Sequence, residues 1–154
     1  MHTSDNGTWK SATAKIVVKR GADDCYALWR DLEDLADYIP WFGRTTVAIG
    51  QENRVKTFNC TLNIAGVEST CLLHLTQDEP GKQIAWETEA GSRLTHRGMV
   101  KFQQLYDATG TEVVLTLQYQ VPTQSSETER NNAAEIALAR FKEFAETNPD
   151  ELKW

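Results

Sequence analysis

From Thr45 to Val121 apolar and polar residues alternate with a period of two, in runs broken by GQEN, AG, DEPGK, EAGS and DATG. A strand turns successive side chains to opposite faces, and breaks rich in Gly, Asp and Asn favour tight reversals. The segment therefore reads as an antiparallel sheet with one apolar face. Phe58, Cys60, Leu62 and Ile64 nearly mirror Val67, Cys71, Leu73 and Leu75 about Ala65-Gly66, which predicts a hairpin with Cys60 across from Cys71. Later runs place Ile84, Trp86 and Thr88, then His96, Gly98, Val100 and Phe102, then Val113, Leu115, Leu117, Tyr119 and Val121 on the same face. Glu87, Arg97, Lys101, Gln103, Thr116, Gln118 and Gln120 fall on the other.

An apolar face of that size needs a cover. Ser126 and Glu129 have capping-box spacing, and Ala134, Ala137, Leu138, Phe141, Phe144 and Ala145 make one stripe of a helix that Asn148-Pro149 stops. Roughly 20 residues make a helix about 30 Å long, enough to cross the sheet. Upstream, AKIVVKR alternates as a first strand. Cys25, Leu28, Trp29 and Leu32, followed by Leu35, Ala36 and Ile39, then have helical spacing, which predicts two short helices or one bent helix ended by Pro40. The chain is thus expected to be one α+β domain over residues 13–148, with tails at 1–12 and 149–154.

With 154 residues and 40% hydrophobic content, a single domain can bury a sizeable core. A net charge of −6 argues against a nucleic-acid surface and against recruitment to anionic lipid. No stretch has the form of a signal peptide or approaches the roughly 18 apolar residues of a membrane span, so a cytoplasmic protein is expected. Three cysteines without C-x-x-C spacing suggest neither a disulfide framework nor a zinc site, and no metal or cofactor is expected. The NGT and NCT sequons read as chance. Asp31, Glu33, Asp34 and Asp37 read as a solvated helix face.

No G-x-S-x-G, H-E-x-x-H, phosphate-cradling glycine loop or supported Cys/His pair occurs. His96 is the histidine that period two places on the apolar face; there it either makes structural hydrogen bonds or serves as a general base. Tyr119 carries a hydroxyl that needs a partner when buried. These two are the catalytic candidates.

LWRDLEDLADYIPW, IAWETEAGSRLTHRGMVKF and TEVVLTLQYQVP, in that order, resemble the polyketide cyclase/dehydrase family over roughly residues 13–147. That family includes coenzyme Q-binding START-like proteins and belongs to the helix-grip (SRPBCC) superfamily of START domains and the birch-pollen allergen. Trp29, Asp31 and Pro40 match its early pattern, and Trp86, Gly98, Phe102, Thr111, Tyr119 and Pro122 its later one. For Asp31 the match suggests a structural cap or hydrogen bond beside the first helix. The resemblance implies a curved antiparallel sheet gripping the last helix, with an elongated cavity between them. A hydrophobic small molecule is the implied partner, with transient membrane contact as a way to receive it.

Phe58, Trp86, His96, Phe102, Tyr119 and Phe141 would then line the cavity or simply fill the core. In DYIPWF, Ile39 belongs to the core, and Trp41 and Phe42 either pack on the sheet end or form a hydrophobic lip through which a ligand passes. Binding or carriage of a lipid, quinone, isoprenoid or polyketide is the expected function, with an aromatase/cyclase-like reaction as the alternative.

Overall fold

The computed structural model describes residues 10–31, 39, 42–47, 57–64, 67–89, 95–105, 110–120 and 127–147. Among the described residues, seven strands and two helices follow one another as β1 (Lys10–Val18), α1 (Ala22–Arg30), β2 (Phe42–Val47), β3 (Thr57–Ile64), β4 (Val67–Glu79), β5 (Gln83–Thr88), β6 (Thr95–Gln104), β7 (Thr111–Gln120) and α2 (Glu127–Thr147). The strands form one antiparallel sheet in the order β1-β7-β6-β5-β4-β3-β2. Strands β2 to β7 form a meander, as short turn-rich breaks dictate, and β1 closes the far edge against β7.

Parity is as the alternation predicts. In β7 the residues Thr111, Val113, Leu115, Leu117 and Tyr119 are buried and their neighbours half-buried; in β6 His96, Gly98, Val100 and Phe102 are buried. The β3–β4 hairpin has the expected register, with Phe58 opposite Leu73 and Cys60 opposite Cys71. Strand β1 begins at Lys10, inside the stretch expected to be a tail, because Lys10 to Ala12 pair with Tyr119 to Leu117.

Both helices lie on the inner face, α2 over β1 and β7 and α1 over β5 and β6. Helix α2 buries Ala134, Ala137, Leu138, Phe141 and Ala145, the predicted stripe, while Phe144 is half-buried. This is the helix-grip arrangement, with its core between sheet and helix.

At the start of α1, Gly21 offers no side-chain cap, but Gln104 Oε1 accepts the Ala22 N–H at 2.9 Å, and Asp23 and Asp24 sit at the positive end of the helix dipole. The helix ends at Asp31, whose backbone leaves helical geometry. Whether a second short helix or a bend follows, the alternatives expected from the spacing, lies outside the described residues. Leu32, Leu35, Tyr38, Pro40, Trp41, Pro122 and Ser126 lie outside the described residues.

Strand β4 carries a bulge between Leu75 and Gln77. The extra residue reverses parity: Leu75 faces inward, yet Gln77 pairs with outward Ala85 and Asp78 with inward Ile84. Strict period two would have turned Asp78 outward.

Candidate functional site

The inner face holds two linked groups of side chains. The first starts from a cross-strand pair, Trp86 on β5 and Gly98 on β6. A Cβ at Gly98 would overlap Cζ2 and Cε2 of the Trp86 ring, so the glycine is what lets the indole lie flat over β6. From there the Trp86 indole N–H donates to His96 Nε2 at 3.0 Å. Since Nε2 accepts, the ring proton sits on Nδ1, which donates to the Gln118 carbonyl at 3.0 Å. Thr88 Oγ1 accepts the His96 N–H at 3.0 Å and fixes the backbone of the same residue.

The imidazole is 1% exposed, and burial lowers its pKa from 6.5 to about 4. His96 is therefore neutral, with both ring nitrogens engaged. Tyr119 is buried directly opposite it on β7.

Helix α1 brings Trp29 against this group. Its ring stacks on Trp86 with centroids 6.3 Å apart and planes 26° apart, and meets Phe141 of α2 at 5.0 Å and 62°. Three aromatic rings thus join the sheet to both helices.

The second group forms where the β4 bulge turns Asp78 inward. Asp78 accepts the Tyr26 hydroxyl and, at 3.0 Å, the Arg30 Nε–H. The Arg30 guanidinium lies 5.9 Å from the centre of the Phe58 ring, and Tyr26 meets Phe102 edge-on at 6.4 Å. Burial and the Asp78 carboxylate push the Tyr26 phenol up to about 12, so it stays a donor at neutral pH.

Six of the eight expected lining residues are thus buried on the inner side: Phe58, Trp86, His96, Phe102, Tyr119 and Phe141. Trp41 and the Phe42 side chain lie outside the described residues. The sequence reading missed Tyr26, Arg30 and Asp78 as inner-face groups, and treated Trp29 as helix packing. Alternation did not mark the bulge, because under strict period two Asp78 falls on the polar phase of β4.

Cys60 and Cys71 face each other as free thiols; the contact with Cys71 and burial both push the Cys60 thiol up. Among the described residues no group of three or more His, Cys, Asp or Glu is placed to hold a metal ion. No described helix is long and apolar enough to cross a membrane.

A depression of about 370 Å³ lies on the opposite, outward face of the sheet. Ala85, half-buried Met99 and Val114 lie among its lining, with Glu87, Arg97, Lys101 and Gln118 among the polar groups. Arg97 Nε donates to Gln118 Oε1 there at 2.7 Å, on the polar face where the alternation puts both.

No curated protein matches this sequence. Among solved structures, a Deinococcus radiodurans protein is 29% identical, with 87% of this chain and 95% of that chain covered and a TM-score of 0.70. A START superfamily protein from Mycobacterium smegmatis is 13% identical over 93% and 99% of the two chains, also with a TM-score of 0.70. An aromatase/cyclase from a Streptomyces species is 17% identical over 95% and 94%, with a TM-score of 0.61. At 13% and 17% identity the last two show a common fold. The family model described as polyketide cyclase/dehydrase and lipid transport matches residues 18–146. With most of the chain matched and the helix-grip core in place, the chain belongs to the polyketide cyclase/dehydrase and lipid transport family.

Proposed function

We propose that the protein binds and carries a hydrophobic small molecule, of the lipid, quinone, isoprenoid or polyketide class, between the inner face of the sheet and α2. The observation that carries this reading is the state of His96. Its two ring nitrogens are committed to Trp86 and Gln118, and burial keeps it neutral. A general base needs a free acceptor nitrogen within reach of a substrate proton. Here that nitrogen already holds an indole N–H, which leaves His96 as scaffold for an aromatic wall. The same reading makes Trp41 and Phe42 an entry lip, through which a membrane can hand over the cargo.

Extraction of protein purified from its native host with denaturing solvent, followed by mass spectrometry, tests the proposal. A stoichiometric hydrophobic compound is expected. Repeated absence of any ligand, together with no binding across a hydrophobic library, would sink it.

One observation favours an aromatase/cyclase-like reaction as a second reading: Tyr119 and His96 stand directly opposite each other on adjacent strands, two proton-bearing side chains on one inner face. Here the cavity would fold a poly-carbonyl chain and Tyr119 would handle the proton. Turnover of an identified substrate that survives His96→Ala and Tyr119→Phe unchanged removes this reading.

A further inference from the structure

Among the described residues, the buried side-chain nitrogen or oxygen left without a hydrogen-bond partner is Nε1 of Trp29. Trp29 is fully buried. Indole N–H groups in interiors ordinarily find an acceptor, because leaving the donor dry is costly and a phenylalanine could fill much of the same space without that penalty. Trp86, stacked on Trp29, shows the ordinary case, since its own N–H is satisfied by His96. The two indoles differ in this one respect, and the unpaired one belongs to the residue where α1 meets both the sheet and Phe141.

We propose that the Trp29 indole N–H is a specificity donor, which hydrogen-bonds a neutral acceptor oxygen, such as a carbonyl, on the hydrophobic molecule bound beside it. The inference rests on the ligand-binding reading above and adds to it a selection rule. In that reading the Trp29, Trp86 and Phe141 rings present flat apolar surfaces to the bound molecule. A single N–H among them favours a body that carries an acceptor over a hydrocarbon of the same shape, because only the former relieves the dry donor.

A matched pair of probes tests this: 9-fluorenone, which carries a ring carbonyl, and fluorene, which has a methylene in its place. Equilibrium dialysis with the wild-type protein should show fluorenone bound about three- to tenfold more tightly, the range of one neutral hydrogen bond. Trp29→Phe should lose that preference and bind the two probes about equally. In the wild type, the indole resonance assigned to Trp29, among the five tryptophans, should move downfield with fluorenone and not with fluorene. This readout is independent of whether the variant folds.

Equal preference in wild type and variant, or a Trp29 resonance indifferent to the carbonyl, overturns the donor role and leaves ligand binding standing. If neither probe nor any member of a wider hydrophobic library binds the wild type, the binding reading fails and takes this inference with it.

Discussion

Protonating His96 would place an N–H on Nε2, pointing at the N–H of Trp86, in a fully buried position. That geometry fixes the sign of its effect on stability. The folded pKa, about 4, lies below the ordinary 6.5, so the unfolded chain binds the proton more readily. Stability is whole above pH 6.5, declines as pH falls below it, and levels off below about pH 4. The gap corresponds to about 3 kcal/mol, at about 1.4 kcal/mol per tenfold. Urea unfolding between pH 7 and 5 should show the decline in the wild type and a flatter profile in His96→Gln, even though that variant starts out less stable. Gly98 supports the same group from the other side. Gly98→Ala drives a methyl into the Trp86 ring and should cost about 2 kcal/mol, the scale of core overpacking, with loss of the near-ultraviolet aromatic signal as a second check. The inward placing of Trp86, His96 and Tyr119 was legible from period two alone. The Trp86–His96 bond was not, because it depends on a ring lying across a neighbouring strand, which no spacing within one strand encodes.

At the scale of elements, strands and the long helix were readable because each carries a repeat with its own period, whereas their couplings are made by single side chains. The β4 bulge is the clearest case. Alternation through LHLTQDE gives no sign of where one residue is squeezed out, yet that residue decides that Asp78 meets Tyr26 and Arg30. The end of α2 is held in the same individual way. Glu146 Oε2 accepts the Lys19 N–H at 2.8 Å, Arg20 Nη1 donates to the Ala145 carbonyl at 3.1 Å, and Lys142 Nζ donates to the Val17 carbonyl at 2.7 Å. Arg20 also reaches Asp24 of α1 at 3.3 Å, which makes it the residue that ties both helices to the end of β1. Arg20→Ala should therefore cost about 1–2 kcal/mol, the worth of one partly buried charge-assisted bond. Amide exchange should accelerate in the last turn of α2 more than in β3 or β4; uniform acceleration across the sheet would mean that Arg20 acts on global stability instead.

Over the whole molecule, the one pairing that no local pattern foretold is the one that closes the fold. Nine consecutive residues of β1 pair with β7, from Lys10 opposite Tyr119 to Val18 opposite Thr111, and α2 rests on both strands. Removal of residues 10–16 should abolish cooperative thermal unfolding, since it bares the β7 edge and takes away much of the seat of α2, which rests mainly on β1; a sharp transition in the shortened chain would show that the meander alone suffices. Residues 10–12 were read as tail because KSATAK is too polar to announce a strand, and what makes it one is a partner about 100 residues away. This separation also sets an order of events during synthesis. At about 5–20 residues per second, the ribosome exposes β1 for roughly 5–20 s before β7 emerges to receive it, and longer before α2 does. Strand β1 is thus made early and used late, and Ala14 and Ile16 must spend that interval unburied, where the positive charges of Lys10, Lys15, Lys19 and Arg20 deter a passing strand from pairing with it.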